Sequence, residues 1–168
     1  YHGGIFPKGA DSKLDDVDQA EVNNIWRVVA AMKKEGIYTV ISPFWAGFMN
    51  TIPEGWGLGE YRGQVQPWAL MYFNDKFRDA YKKWVEVLYT RPNPYTGIPL
   101  KDEPAVALIQ VKNEDSVLFW TIQGVKGDLK ERIETLFLQW AVKKYGTAQA
   151  ALAAWSNAAT PTDNLTRG

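Results

Sequence analysis

The chain has 168 residues and is 46% hydrophobic, so it can bury a sizeable core, and disorder is excluded. Lys and Arg together number 19, as do Asp and Glu, so the charge balance favours neither a nucleic-acid partner nor an acidic tail. The absence of cysteine excludes disulfides, thiolate nucleophiles and cysteine-based zinc sites, and it leaves the compartment open. No apolar run approaches the ~20 residues of a membrane span, so we expect no membrane partner.

The start of the chain, Tyr1-His2-Gly3-Gly4, has neither an initiator Met nor a charged-then-apolar leader, and we expect a piece of a longer protein. Residues Tyr1 to Phe6 fit the tail of a strand. Aromatic residues make up 14% of the chain, with 8 Trp and 8 Tyr. Such side chains fill cores, and they also form platforms for sugar rings.

The first predicted helix begins at a capping box, in which Asp18 and Glu21 stand three residues apart. Apolar residues then recur at helical spacing, namely Val22, Ile25, Trp26, Val29 and Met32. The sequence Lys33-Lys34-Glu35-Gly36 ends this amphipathic helix. The run from Ile37 to Pro43 is too continuously apolar to have one wet face, which favours a buried parallel strand.

The segment from Phe44 to Tyr72 has no sustained period and is rich in Gly, Pro, Trp and Asn, which predicts a long loop of the kind that carries function. A second helix is predicted from about Asn74 onwards. Its apolar stripe consists of Phe77, Ala80, Tyr81, Trp84, Val85 and Leu88. This helix stops before Arg91-Pro92-Asn93-Pro94, because the residue before a proline disfavours helical backbone.

A second continuous apolar run, from Ala105 to Val111, predicts another buried strand, and it ends in the polar cluster Lys112 to Ser116. A third helix is predicted from about Leu129 to Tyr145. Thr147 is expected to cap a short Ala-rich helix that runs up to Trp155. Helices that alternate with buried-type strands indicate an α/β fold.

Asn113 and Glu114 directly follow the second predicted strand. In a parallel α/β barrel the catalytic groups lie at the carboxyl ends of the strands, where side chains from several strands converge. From position alone, Glu114 is either a functional carboxylate or a solvated acid of a loop, and both alternatives stay open.

The run Leu108-Ile109-Gln110-Val111-Lys112-Asn113-Glu114 resembles the fourth strand of clan A glycoside hydrolases, which ends in an Asn-Glu pair. The segments Asn93 to Gly97 and Lys101 to Ala105 look like the lead-in of cellulase-like or mannanase-like members, and Lys34 to Tyr38 is similar to the junction entering their third strand. The resemblance implies that residues 1–168 are part of one (β/α)8 catalytic domain. This partial TIM barrel would run from about strand two to the helix after strand four.

By this resemblance, Glu114 is the general acid that protonates the leaving glycosidic oxygen, and then the base that activates the water releasing the sugar. The chemistry needs a carboxyl group whose pKa is raised toward neutrality. Asn113 would donate a hydrogen bond to the sugar 2-hydroxyl, the alternative being that it merely closes a turn. Retaining enzymes also need a nucleophilic carboxylate about 5–5.5 Å from the acid/base. In this clan it comes from strand seven, so we expect it outside this chain and expect the chain alone to be inactive.

Several aromatic residues and the histidine are further candidates for contact with the substrate. His2, the sole histidine, falls where the second strand would end, and it either binds a sugar or carboxylate or is simply exposed. Phe44 and Trp45 follow the third strand, and either could stack on a pyranose face, with Trp45 as the preferred candidate. Trp120 either lines a subsite or anchors the loop after the fourth strand. Trp56 and Trp68 are candidate platforms at the rim, with core packing as the alternative.

The sequence thus predicts a retaining glycoside hydrolase that cleaves β-linked poly- or oligosaccharides and needs neither a metal nor an organic cofactor. Its expected partners are a carbohydrate substrate and the remainder of the barrel, and a secreted or periplasmic parent is compatible with these features. The alternative is a non-catalytic carbohydrate-binding or scaffold protein with a barrel-like half. The sequence contains no dinucleotide fingerprint, phosphate-binding loop or histidine pair for a metal.

Overall fold

The computed structural model describes residues 4–49, 52–58, 61, 66–161 and 163–166. The chain forms two compact units, of which unit 1 comprises residues 1–59 and 64–124, and unit 2 comprises residues 60–63 and 125–168. Helices make up 50% of the structure, and the described residues contain one parallel sheet of two short strands. Within the described ranges, no helix is both long enough and apolar enough to cross a membrane.

Helix α1, Gln19–Lys34, forms where the capping box and the apolar stripe predict it. The carboxylate of Asp18 accepts a hydrogen bond from the amide of Glu21 at 3.0 Å, which satisfies one of the free amides at the start of the helix. The predicted stripe faces the core of unit 1. Its buried members are Val22, Ile25, Trp26 and Val29.

Two consecutive helices follow the long loop. Helix α2, Leu70–Phe73, is a single turn that overlaps the end of the segment predicted to be a loop. Helix α3, Asp75–Thr90, begins where the side chain of Asn74 accepts a hydrogen bond from the amide of Phe77 at 2.8 Å. The stripe predicted for this helix is buried at Phe77, Ala80, Tyr81, Trp84 and Leu88.

The two apolar runs form the sheet of unit 1. Strand β1, Thr39–Ile41, pairs in parallel with strand β2, Val106–Ile109, and Ile41 lies opposite Ile109. Just past β2, the amide of Gln110 donates to the carbonyl oxygen of Ile41 at 2.9 Å. Both predicted strands therefore exist and they pair in parallel with one another, although each is shorter than its apolar run.

The prediction of a partial (β/α)8 barrel is wrong, because two strands of three and four residues form the sheet among the described residues. The described part of the first six residues forms no strand, although the amide of Ile5 donates to the carbonyl oxygen of Pro43 at 3.2 Å. The error lies in how both apolar runs were interpreted. A run that is apolar on both faces indicates burial on both faces, yet Tyr38 and Val40 in the first run are 71% and 49% exposed. In the second run, Leu108 and Val111 are 55% and 62% exposed.

The core of unit 1 is an aromatic cluster that α3 shares with the segments before and after β1. Its rings belong to Phe6, Phe44, Trp56, Phe77, Tyr81 and Trp84, at centroid distances of 5.5 to 6.5 Å. Most of the pairs are tilted or edge-to-face, as aromatic rings prefer. Trp56 and Trp68 are both buried, so their interpretation as rim platforms is wrong and core packing accounts for them.

Unit 2 consists mainly of helix α4, Gly127–Tyr145, and helix α5, Ala148–Ala154. Gly146 joins the two helices with a φ of 90°, a left-handed backbone that favours glycine. The hydroxyl of Thr147 accepts a hydrogen bond from the amide of Ala150 at 3.0 Å, which confirms it as the cap of α5. An apolar cavity of about 330 Å³ is lined by Phe137, Ala141, Ala151, Leu152 and Trp155, among others.

Candidate functional site

The candidate site lies where the chain leaves β2. Residues 111–115 bend away from the end of the strand, and we call them the post-strand segment. Asn113 and Glu114 occupy its middle, with Glu114 exposed and Asn113 half-buried. Because β2 ends at Ile109, both residues lie beyond the carboxyl end of a parallel strand, separated from it by residues 110–112, whereas the sequence predicts that they follow the strand directly.

A buried ion pair flanks these two residues. Lys112 and Asp115 form a salt bridge through side chains that are only 5% and 1% exposed. The ammonium group of Lys112 also lies 4.6 Å from the centre of the Tyr72 ring and 5.9 Å from that of Phe44, within the range of cation–π attraction. Burial lowers the pKa of Lys112, while the charge of Asp115 opposes that shift. A buried charge of this kind is tolerated because its partner is present.

The carboxylate of Asp115 ties the post-strand segment to two other segments of unit 1. Both of its oxygens accept a hydrogen bond from the amide of Ala69 at 3.1 Å. The hydroxyl of Thr121 donates to one of the same oxygens at 3.4 Å. Ala69 has a φ of 64°, an uncommon backbone for a residue other than glycine, and its bond to Asp115 holds it at the start of α2.

Two tyrosine hydroxyls hold the ends of the post-strand segment. Tyr81, on α3, donates to the carbonyl oxygen of Val111, and Tyr72, on α2, donates to the carbonyl oxygen of Asp115. Burial raises the pKa of Tyr81 to about 12. Burial, and to a smaller extent the charge of Asp115, also raise the pKa of Tyr72. Both hydroxyls therefore keep their protons at neutral pH and can act as donors.

Glu114 has a strained backbone. Its φ is 43°, in the left-handed region where a side chain crowds the following carbonyl. Such conformations cost about 1–3 kcal/mol and persist only where the surroundings determine them. Here the buried neighbour Asp115 fixes the chain on one side, so the glutamate side chain is presented to solvent at a defined point.

The structure places the aromatic candidates differently. Trp120 is 52% exposed and contacts Trp68 edge-to-face at 5.5 Å, and its neighbour Thr121 bonds to Asp115. Trp45 is half-buried and packs edge-to-face on Phe48 at 5.0 Å. Through the hydrogen bond between Thr121 and Asp115, Trp120 is linked to the post-strand segment. His2 lies outside the described residues.

Sequence reasoning missed four residues of this site: Tyr72, Tyr81, Lys112 and Asp115. A signal existed for the ion pair, because opposite charges three residues apart directly follow an apolar run. The sequence contains no comparable signal for the two tyrosines. Their contacts join residues 43 and 30 positions apart, and Tyr81 reads as an ordinary member of an apolar helix stripe.

Within the part of the chain that the structure describes, no group of three or more acidic or histidine side chains could hold a metal ion. Comparison with family models, with curated proteins and with solved structures finds no match.

Proposed function

We propose that this chain carries the acid/base residue of a retaining glycoside hydrolase acting on β-linked poly- or oligosaccharides, with Glu114 in that role. The observation that carries the proposal is the presentation of Glu114. An exposed carboxylate stands in strained left-handed backbone beyond the end of a parallel strand, beside a buried ion pair. Strained backbone of this kind clusters at functional sites, whereas a solvated loop acid has no need of it.

The chemistry follows from that position. A protonated carboxyl group donates its proton to the leaving glycosidic oxygen, and the resulting carboxylate then takes a proton from the water that releases the sugar. Asn113, the residue before it, is proposed to donate to the sugar 2-hydroxyl, a hydrogen bond that strengthens as the oxocarbenium-like transition state forms. The exposed ring of Trp120 is the best-placed platform for a sugar face, with Trp45 as a second candidate.

The second carboxylate of the reaction is proposed to come from outside this chain. The residues that follow β1 are Ser42, Pro43, Phe44 and Trp45, none of them acidic. Asp115, the acid next to Glu114, is buried and held by Lys112, so it does not offer a free nucleophile. We therefore expect the 168-residue chain alone to show no turnover of β-glycosides.

The test uses Glu114→Gln in a protein that joins this chain to the nucleophile. The amide keeps the shape and removes the proton donor, so turnover of substrates with poor leaving groups should fall about 10²- to 10⁴-fold. Activated aryl glycosides need little protonation and should lose less. Added azide should partly restore their turnover, because a small anion attacks the glycosyl-enzyme without a general base.

Glu35→Gln is the matched control, since Glu35 is an exposed glutamate of unit 1 that follows α1. Glu35→Gln should leave the turnover of both substrate types unchanged. If Glu114→Gln lowers the turnover of both substrate types equally and azide has no effect, Glu114 has another role. If the variant keeps full activity, Glu114 is not a catalytic residue. Robust hydrolysis by the 168-residue chain itself would place the nucleophile within it.

The alternative function is carbohydrate binding without catalysis, and the exposure of Trp120 is the observation that favours it. A binding protein would take up β-linked oligosaccharides and lose that binding in Trp120→Ala, with no turnover even when the complete protein is assayed. Calorimetric titration of the chain and its Trp120→Ala variant, combined with the turnover assay, separates the two functions.

A further inference from the structure

We propose that Tyr72, Tyr81, Lys112 and Asp115 act together as positioning residues for Glu114. We call these four residues the clamp. This inference rests on the proposed function, because it assigns the clamp the task of placing an acid/base. It goes beyond that function by explaining what holds the strained backbone in one geometry.

The first argument concerns the two ends of the post-strand segment. The Tyr81 hydroxyl binds the carbonyl of Val111 at one end, and the Tyr72 hydroxyl binds the carbonyl of Asp115 at the other. The tyrosines come from two different helices, so the segment is bound to both α2 and α3. With both ends fixed, few backbone paths remain for the residues in between.

The second argument concerns the ion pair. Lys112 and Asp115 are nearly fully buried, and Tyr72 covers the ammonium group with its ring while binding the backbone of Asp115. The two ends of the segment are thereby held to one another as well as to the helices. Between the two charged residues lie Asn113, which is half-buried, and Glu114, which is exposed to solvent.

The third argument concerns Asp115 as a junction. Its carboxylate binds the amide of Ala69, next to Trp68, and the hydroxyl of Thr121, next to Trp120. The two indole rings contact one another edge-to-face. One carboxylate therefore links the backbone next to Glu114 to the segment that carries the exposed ring of Trp120.

The kinetic test uses Tyr72→Phe and Tyr81→Phe in the protein that joins the chain to its nucleophile. Each variant keeps the ring and removes one hydrogen bond, which avoids the buried unpaired charge that a change of Lys112 or Asp115 would leave. Misplacing a catalytic group by about 1 Å can cost up to about 10²-fold in rate, and we expect about a tenfold loss of kcat on substrates with poor leaving groups. The loss should be smaller on activated aryl glycosides, with KM nearly unchanged.

Tyr95→Phe is the matched control, because Tyr95 is 50% exposed and its hydroxyl donates to the surface residue Asn23 at 3.3 Å, away from the clamp. It should alter neither kcat nor the dependence on leaving group. A purely structural role for the clamp predicts equal losses on all substrates, since unfolded protein is lost for each alike. That outcome, or full activity in both clamp variants, overturns the proposal.

A second measurement keeps this inference separate from the proposed function. In the 168-residue chain, the amides whose bonds depend on the clamp are those of Ala69, Gln110 and Ser116, which donate to Asp115, Ile41 and Thr121. Their hydrogen exchange should become about tenfold faster in Tyr72→Phe and Tyr81→Phe, while α1 keeps its protection. If exchange accelerates but Glu114→Gln has no kinetic effect, the clamp exists and the proposed function fails. Unchanged exchange in both variants shows that there is no clamp, whatever the role of Glu114.

Discussion

Tyr81 illustrates how one side chain can serve both the core and the candidate site. Its ring packs against Phe44 and Trp84 in the aromatic cluster, while its hydroxyl reaches the carbonyl of Val111. A buried phenol is destabilised when it ionises, and this is why burial raises its pKa to about 12. The stability of unit 1 should therefore depend on pH in the alkaline range.

We expect the Tyr81→Phe variant to lose less stability than the wild type as the pH rises through the alkaline range. The folded pKa lies above the unfolded value of about 10, so the contribution of Tyr81 is present below pH 10 and is lost as the pH rises through the folded value. At pH 8 the variant should be less stable by about 1 kcal/mol, because the Val111 carbonyl loses its donor. The wild type should then lose about 2–3 kcal/mol more than the variant by pH 12.

Urea unfolding at pH 8, 10 and 12, followed by circular dichroism, measures this difference. The lowered pKa of Lys112 acts with the opposite sign, because the folded state then binds fewer protons, but it is common to both proteins and cancels. Tyr95→Phe should run parallel to the wild type at every pH. If the difference in free energy of unfolding between wild type and Tyr81→Phe were the same at every pH, burial would not raise the pKa of Tyr81.

Helices are the elements that the sequence predicts best, and the reason is local. Asp18 and Thr147 cap helices at the predicted positions, and Gly146 ends α4 where the periodic pattern stops. Caps and a 3.6-residue period are properties of neighbouring residues, so they can be recognised without knowing the partner of the helix. The single turn of α2 was missed, because four residues are too few to show a period.

The cap of α5 allows a test at this scale. Thr147→Ala removes the hydroxyl that binds the amide of Ala150 and should lower the stability of unit 2 by about 1 kcal/mol, while Thr147→Ser should retain most of it. Urea unfolding followed by helical circular dichroism gives the free energies. If the alanine and serine variants behave alike, the hydroxyl does not act as a cap.

The number and covering of strands are properties of the whole molecule, and they are the part of the prediction that failed. The second apolar run does pair in parallel with the first, but Leu108 and Val111 are largely exposed. The spacing of apolar residues indicates which side chains are suited to a buried face, but it does not tell which other element of the fold covers that face. The location of Asn113 and Glu114 was predictable because it depends only on the end of a strand, whereas the clamp depends on distant contacts to α2 and α3.

An exposed apolar strand at the edge of a sheet should make the chain associate with itself. Edge strands that lack charge present free backbone groups to other chains. Leu108→Lys places a charge on β2 and should reduce concentration-dependent association, as measured by sedimentation velocity. Leu118→Lys is the control, because Leu118 is 93% exposed but lies outside the strands. An equal reduction by both variants would indicate a general effect of charge or of exposed apolar surface.

The left-handed backbone of Glu114 has a consequence for how this position would change under selection. Glycine adopts such a φ without steric cost, so Glu114→Gly should relieve about 1 kcal/mol of strain. A population of variants screened for thermal stability alone would therefore tend to lose glutamate here. Stabilising changes at functional positions commonly sacrifice activity. Under the proposed function, selection for stability and selection for activity are therefore expected to favour different amino acids at position 114.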